Sequence, residues 1–279
     1  MTKNNTIING LWIGSELSKL ELLTIQSFMD NGHTFRLWVY DNAVKQYLPD
    51  GVTVADANEI IDADKVFSYV QVNKFGHGKG SYAGFSDIFR YRLLFLHGGW
   101  WVDMDVTCLK PFDFEPEYFF RAHHQLPLVG NVMKCPQGSA LMKTCYEEAL
   151  ANVNENNTDW HKPIEILCAN VQKLGLDKFI VKNVSNNDIW EETSAFILKR
   201  KPIPDYYFLH WQNEEWRSRL IDKDIIKIRS TLGELMQRYG ILKKSYSSKE
   251  LWFNWFQLSG FYRRLKWLGI IDALTGNKG

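Results

Sequence analysis

The chain has 279 residues, which is enough for one large domain or two small ones. Hydrophobic residues make up 45% of the sequence and allow a sizeable core. The formal net charge of +1 supplies no surface field that would attract nucleic acid, so we expect no nucleic-acid partner.

Two further sequence features bear on location. No stretch reaches the apolar length of a membrane span, and the polar residues 1–5 lack the basic start and apolar run of a signal peptide. The four cysteines form no C-x-x-C pair and are too few for a disulfide framework, so we expect reduced thiols. Together these features predict a cytoplasmic protein.

The chain opens with a predicted strand, helix and second strand. Residues 7–13 form a short apolar run with β-branched members, which is typical of a strand. Ser18 followed by Glu21 matches a capping box and predicts the start of a helix. Residues 34–40 alternate and predict the second strand. This order is the beginning of an α/β fold with a parallel sheet.

The strongest predicted helix, residues 81–97, ends at a glycine pair and leads into a predicted strand with two aspartates. Strand side chains alternate between faces, so Asp103 and Asp105 are expected to point the same way. Neighbouring carboxylates near a core repel each other unless a cation joins them, and oxygen ligands suit a hard divalent ion. The apolar residues of this strand are expected on the opposite face: Trp100, Val102, Met104 and Val106.

Other candidate site residues flank this strand. Asp87 and Arg90 share one helix face and either form a surface ion pair or face a ligand at the carboxyl end of the aspartate strand. Trp12, at the end of the first strand, either packs or stacks on a nucleotide base. His210, which precedes Trp211, is either a hydrogen-bonded histidine or a nitrogen ligand of the metal. Spacing alone leaves these alternatives open.

The C-terminal part of the chain differs in composition. Residues 251–274 mix aromatic and basic side chains in an amphipathic pattern. Such a segment lies on an anionic membrane surface, packs as a helical pair on the main domain, or forms a dimer contact. We therefore divide the chain into a domain that holds the candidate site residues, residues 1–230, and a C-terminal helical segment, residues 231–279, with peripheral contact at the inner membrane face through residues 251–274 as one of these three alternatives.

The run from Ser86 to Asp105 resembles the signature of glycosyltransferase family 32 and the related large clostridial glucosylating toxins. Those proteins carry S-D-x-x-R, an intervening helix and then G-G-x-Y-x-D-x-D, and Trp101 stands here where the family usually has Tyr. The segment Leu11–Gly14 is similar to the family's N-terminal W-I-G. His210 with its following tryptophans is similar to a late H-x-W…W segment.

The resemblance implies a GT-A fold (a Rossmann-like, mostly parallel sheet with flanking helices) and retaining transfer of a hexose. The donor is a nucleotide-sugar, with UDP favoured and GDP the second choice. The acceptor is a polysaccharide or a lipid-linked glycan, and the cofactor is Mn²⁺ or Mg²⁺. The implied catalytic residues are Asp103, Asp105 and Arg90, and the implied metal ligands are Asp103, Asp105 and His210. The implied donor-binding residues are Trp12, Ile13, Gly14, Ser86, Asp87, Arg90, Trp101 and Asn131.

Two other functions compete with this one. Residues 102–107 also resemble the apolar-D-x-D-x-T motif of haloacid-dehalogenase-type phosphatases, in which the first aspartate is a nucleophile. That motif normally opens its fold, whereas here a long stretch of chain precedes it. The third alternative is a non-catalytic protein that binds nucleotide-sugars, and turnover separates it from an enzyme.

Overall fold

The computed structural model describes residues 7–74 and 76–259. Its strands, in chain order, are β1 (Ile7–Trp12), β2 (Thr34–Val39), β3 (Thr53–Asp56), β4 (Gly99–Val102), β5 (Val106–Cys108), β6 (Phe119–Ala122), β7 (Leu128–Cys135), β8 (Ile180–Val181) and β9 (Phe208–His210). Its helices are α1 (Lys19–Asp30), α2 (Ala83–His97), α3 (Ala140–Asn152), α4 (Lys162–Lys173), α5 (Trp190–Leu198), α6 (Asn213–Ser218), α7 (Thr231–Arg238) and α8 (Ser248–Gln257).

Seven strands form one sheet in the order β3-β2-β1-β4-β7-β6-β8. The strands β3, β2, β1 and β4 run parallel to one another, β7 is antiparallel to β4 and β6, and β8 is parallel to β6. The chain moves outward from β1 to β3 and then crosses back to β4 on the other side of β1. The predicted α/β class, with a mostly parallel sheet and flanking helices, is confirmed.

Helix α1 begins where its capping residues predict. The Ser18 side chain accepts a hydrogen bond from the Leu20 amide, and the Glu21 carboxylate accepts one from the Ser18 amide at 2.8 Å. The helix ends before Gly32, whose φ of 88° lies in the left-handed region. It packs against β2 and β5.

Helix α2 turns directly into β4 through a glycine. Gly98 has φ 63°, and its amide donates to the Leu94 carbonyl at 2.9 Å. A Cβ atom at Gly98 would come within 2.4 Å of the backbone nitrogen of Gln137, so no larger residue fits there. Because the turn is this tight, the N-terminal half of α2 lies beside the carboxyl end of β4.

The sheet separates two layers of buried side chains, and a third cluster joins α1 to the later chain. Trp101 belongs to the cluster formed with α2, α3 and α4, whereas Trp100 belongs to the cluster on the α1 side. Leu23, Trp211 and Leu235 belong to the third cluster. The elements β9, α6 and α7 are therefore packed onto α1.

The prediction of one strand through both aspartates is wrong. Strand β4 ends at Val102, and the chain turns through residues 103–105 before β5 pairs with β9 in a separate two-stranded sheet. The ladder breaks here because the backbone groups of the turn bond to β7, α1 and residue 211 instead of to neighbouring strands. The apolar residues nevertheless share one cluster, as predicted: Trp100, Val102, Met104 and Val106.

Helix α8 is attached to the body by Asn254, whose side chain donates to the Ile226 carbonyl at 2.7 Å and accepts from the Ile228 amide at 3.1 Å. Trp252 and Trp255 are 61% and 65% exposed. Of the predicted segment 251–274, residues 260–274 lie outside the described residues, and the predicted boundary after residue 230 stays a prediction. No described helix is long and apolar enough to cross a membrane.

Candidate active site

An open cleft of about 1020 Å³ is lined by residues from the carboxyl ends of β1 and β4, the two strands between which the chain order reverses. Open α/β sheets bind their ligands at such a point. Gly14 does not line the cleft; it lies beside Trp12 with φ 145°. The other predicted site residues all line it: Trp12, Ile13, Ser86, Asp87, Arg90, Trp101, Asp103, Asp105, Asn131 and His210.

The turn that carries the two aspartates is held by backbone hydrogen bonds at both ends. The Asp103 amide donates to the Asn131 carbonyl, and the Asp105 carbonyl accepts from the Trp211 amide, each at 2.9 Å. Trp211 is itself anchored, because its Nε1 donates to the Thr107 hydroxyl at 2.8 Å. The positions of the carboxylates are therefore set by elements from distant parts of the chain.

The two aspartates have opposite pKa shifts. Oδ2 of Asp105 accepts from the Asn213 amide at 2.6 Å and lies 3.3 Å from Nε2 of His210. Burial would raise the pKa of Asp105, but His210 and the Asn213 amide outweigh it and hold that pKa below its ordinary value. Burial raises the pKa of Asp103, against the opposing charge of Arg90 and with the charge of Asp105 adding to the rise.

His210 bridges two carboxylates. Strand β9 pairs with β5 so that His210 stands opposite Val106, next to Asp105. Its Nδ1 lies 2.6 Å from Oδ1 of Asp188, while Nε2 faces Asp105. Burial would lower the pKa of the imidazole, but Asp105 and Asp188 raise it to about 10. These two carboxylates favour the protonated ring, whereas only the neutral ring, with Nε2 free of its proton, can act as a metal ligand.

Asp188 is the centre of a buried polar cluster that the motif analysis missed. Its carboxylate oxygens accept from Nη1 and Nη2 of Arg121 at 2.9 Å each, and Nε2 of His123 lies 3.3 Å from Oδ2. Burial would raise the pKa of Asp188, but Arg121 and His210 hold it well below its usual range. Arg121 also donates to Oδ1 of Asn131 at 3.1 Å. Since both oxygens are engaged, Asp188 orients its neighbours.

The sequence offers only weak signals for these missed residues. Arg121 is a charge within the apolar strand β6, and a charge in a buried strand must be paired. Asp188 lies in a polar stretch without a recognisable spacing. Asn213 contributes a backbone amide, which no side-chain motif can reveal.

Arg90 and Asp87 form a buried ion pair, not a surface one. Each is 5% exposed, and Nη2 of Arg90 donates to Oδ1 of Asp87. Nη1 lies 3.5 Å from Oδ1 of Asp103, and the guanidinium carbon lies 5.7 Å from the ring centre of Trp101. Nε and Nη1 find no hydrogen-bond partner among residues 7–74 and 76–259. Buried donors of this kind on a cleft wall suit a ligand rich in oxygen.

The arginine can lie here because residue 130 is glycine. A Cβ atom at Gly130 would come within 2.6 Å of Nη1 of Arg90. Trp101, at the position where the resembling family usually has Tyr, donates from Nε1 to Oδ1 of Asp103 at 2.7 Å. Residue 101 therefore combines a large ring with one hydrogen-bond donor, as a tyrosine would.

The donor set suits a divalent cation in its chemistry but is not preassembled around one. Within the described ranges, no three His, Cys, Asp or Glu side chains surround a common point as metal ligands. Asp105 and His210 nevertheless place an oxygen and a nitrogen donor side by side, with Asp188 behind the ring at Nδ1. A carboxylate in that position is usual behind metal-binding histidines. The residues present therefore fit Mn²⁺ or Mg²⁺.

Comparison with known proteins finds one matching family model and several solved structures with a similar chain path. Residues 43–230 match the model of a family described as capsular polysaccharide synthesis proteins. Solved structures with a similar chain path include the PaToxG glycosyltransferase (14% identity, TM-score 0.46, 61% of this chain and 68% of that one). Another is the apo form of the glycosyltransferase GlyE from Streptococcus pneumoniae TIGR4 (13% identity, TM-score 0.47, 91% of this chain and 64% of that one). No curated protein sequence matches the chain.

Proposed function

The chain belongs to the capsular polysaccharide synthesis protein family, and from that membership we propose that it is a metal-dependent, retaining glycosyltransferase of the family 32 type. It transfers a hexose from a nucleotide-sugar to a growing polysaccharide or a lipid-linked glycan in the cytoplasm. UDP is the favoured nucleotide and GDP the second choice. The family and the GT-A type fold both support glycosyl transfer.

One observation carries the proposal: the guanidinium of Arg90, whose Nε and Nη1 are buried without a hydrogen-bond partner in the described chain, belongs to the wall of the cleft that also holds the acidic turn of Asp103 and Asp105. A ligand for this cleft must accept hydrogen bonds from a guanidinium and must also be joined to carboxylates by a cation. A nucleoside diphosphate linked to a sugar meets both requirements, because its phosphates are anionic and its sugar hydroxyls accept and donate.

Different residues bind the base, the sugar and the diphosphate of the donor. Trp12 stacks on the base, and its Nε1 donates to the Glu16 carbonyl at 2.8 Å, which fixes the ring. Asp87 and Arg90 hold the sugar and the diphosphate. The other expected donor-binding positions that line the cleft support these contacts: Ile13, Ser86, Trp101 and Asn131.

Breaking the bond between sugar and diphosphate leaves negative charge on the departing phosphate. Arg90 stabilises that charge through charge-assisted hydrogen bonds. Asp105 and His210, with Asp103 more remote, would hold Mn²⁺ or Mg²⁺, which supplies Lewis-acid stabilisation when bound. The acceptor hydroxyl attacks the anomeric carbon on the face that the phosphate leaves, and its proton passes to the departing phosphate oxygen, so no protein base is required.

A thermal-shift screen of UDP-, GDP- and CMP-sugars with and without Mn²⁺, followed by a turnover assay, tests the function. We expect one sugar nucleotide to stabilise the protein only with Mn²⁺ and then to be consumed. Asp105→Ala abolishes both effects, whereas Asp205→Ala, at a side chain 96% exposed, abolishes neither. Unchanged turnover in Asp105→Ala would refute the metal role, and binding without turnover would favour the non-catalytic alternative.

We also propose that α8 contacts an anionic membrane surface. Its exposed tryptophans lie in a region whose sequence adds Lys243, Lys244 and Lys249 to the basic residues of segment 251–274. The variant Trp252→Ser/Trp255→Ser should lose binding to liposomes that contain phosphatidylglycerol, while Val72→Ser, at another exposed apolar residue, should not. Equal binding by both variants would contradict the membrane contact.

A further inference from the structure

We infer that Lys223 binds the diphosphate of the donor, as a cation that no sequence motif identified. The inference rests on the proposed function and adds a residue to it. Lys223 follows α6 and lines the same cleft as Arg90 and Asp105. Its side chain is 22% exposed, so the ammonium is partly desolvated but still accessible from the cleft.

Its position is the first argument. Nζ of Lys223 lies 5.4 Å from the ring centre of Trp12. Trp12 and Asp105 both line the cleft that Lys223 lines. Lys223 therefore lies beside the ring assigned to the base, in the same cleft as the carboxylate assigned to the cation. In a nucleotide-sugar, the diphosphate is the group that spans those two places.

Its immobilisation is the second argument. Nζ donates to Glu21, which is fully buried in the first turn of α1. The next residue, Asp224, accepts from the Lys19 amide at 2.9 Å through its side chain and from Lys19 Nζ at 2.6 Å through its carbonyl. The segment is thus docked on α1 at two adjacent points, and a preorganised cation loses little entropy when it binds a phosphate.

A simpler interpretation is that Lys223 only neutralises Glu21. However, Glu21 already accepts from the Ser18 amide and hydroxyl, at 2.8 and 2.5 Å, and lies at the positive end of the dipole of α1. An ammonium has three donors, and within the described chain one of those of Lys223 is used, by Glu21. Two donors therefore remain for a ligand on the cleft side.

The neighbouring cations of the cleft differ from Lys223 in this respect. Arg217 donates to Glu214 through Nε and Nη2, and Arg219 donates to Glu215 through Nε. Glu214 and Glu215 lie on the same surface segment as the two arginines. Each carboxylate therefore moves with its arginine and keeps its charge neutralised. Glu21 is fixed inside α1 and cannot follow the ammonium toward a ligand.

The test compares nucleotides with nucleosides, since only the former carry phosphate. Dissociation constants of UDP and GDP are measured by calorimetry with Mn²⁺, and those of uridine and guanosine by ligand-observed NMR. We expect Lys223→Met to weaken diphosphate binding by about 10- to 100-fold, the range of a charged hydrogen bond, and to leave nucleoside binding unchanged. The matched control is Lys19→Met, which removes the α1 ammonium that contacts Asp224 of the same docked segment, lies outside the cleft and should change neither.

The double variant Glu21→Gln/Lys223→Met removes both buried charges and guards against misfolding of the single variant. It should keep the wild-type fold and show the same loss of diphosphate binding. Recovery of that binding in the double variant, or an equal loss for nucleosides and diphosphates in the single one, would show that Lys223 is only a counterion. If wild-type protein binds diphosphates and Lys223→Met binds them as well, the inference alone fails; if wild-type protein binds none, the proposed function fails with it.

Discussion

Nδ1 of His210 lies 2.6 Å from Oδ1 of Asp188, and this contact directs the opposite ring nitrogen toward the acidic turn. Asp188 is fixed in turn by both terminal nitrogens of Arg121. The orientation of a proposed metal ligand therefore depends on a carboxylate that touches neither the metal nor the donor in our assignment. Behind the candidate ligands lies a second, purely orienting group of residues.

Asp188→Asn should lower the free energy of unfolding while leaving the shape of the cleft largely unchanged. The substitution leaves the charge of Arg121, which is 2% exposed, without a counter-charge. Breaking a buried ion pair in this way costs roughly 3–5 kcal/mol, and we expect a loss of that order in the free energy of unfolding measured with urea. The exposed pair of Asp205 and Lys110 provides the control, since Asp205→Asn should change stability by less than about 1 kcal/mol. Equal stability of Asp188→Asn and wild type would contradict the orienting role.

Gly130→Ala should lower turnover while changing thermal stability little. The added methyl group would meet Nη1 of Arg90 at 2.6 Å, and the arginine can move away because this atom is the end of a flexible side chain. We expect turnover to fall by at least about tenfold, as one lost transition-state contact would cause, while the melting temperature changes by only a few degrees. Steady-state kinetics and calorimetry on the same preparation check this. A variant with wild-type turnover would show that the position of Arg90 does not matter to the reaction.

The His123 side chain predicts a pH dependence of stability. Burial lowers its pKa from 6.5 to about 4, and Nδ1 accepts from the amides of Gln125 and Leu126 at 3.1 Å each, so the folded state requires the neutral ring. A folded-state pKa below the unfolded one gives stability that is complete above pH 6.5 and is lost as the pH falls toward 4.

His123→Asn provides the comparison, because its side-chain oxygen can accept from the same two amides without titrating. Urea titrations between pH 4 and pH 7 should show a smaller loss of stability on acidification for the variant than for wild type. Parallel curves for the two proteins would mean that His123 does not contribute to the acid sensitivity.

Trp101→Phe should shift the acid limb of the activity profile to higher pH. The substitution removes the 2.7 Å hydrogen bond from Nε1 to Asp103, which favours the charged carboxylate. Since burial already raises the pKa of Asp103, losing this donor raises it further. Tyrosine, which the resembling family uses here, restores a donor, so Trp101→Tyr should shift the limb less than Trp101→Phe. Identical limbs for all three proteins would argue against a charged Asp103 in turnover.

The elements that the sequence predicts well are those determined by near neighbours. The capping box of Ser18 and Glu21 is present as predicted, and Gly98 ends α2 because its conformation and its contact with residue 137 leave no room for another residue. The cleft brings together Trp12 and His210 with the acidic turn, as the motifs indicate.

What the sequence could not reveal depends on partners far along the chain. The strand ends before Asp103 because Asn131 and Trp211 form hydrogen bonds with the backbone of the turn. The alternation of side chains in the sequence cannot show this. Arg121 and Lys223 acquire their positions from carboxylates that lie 67 and 202 residues away. Pairings at such separations are decided by the packing of whole elements, which local patterns do not encode.

The small sheet of β5 and β9 has a consequence for the order in which the protein matures. Every strand of the large sheet lies within residues 7–181. By contrast, His210 reaches Asp105 only when β9, which is translated much later, pairs with β5. A ribosome-bound chain that has emerged to residue 181 can thus assemble its main scaffold with an acidic turn but no histidine beside it. The candidate site is therefore completed late in synthesis, when distant pairing closes a loop of about a hundred residues, a slow kind of step in folding.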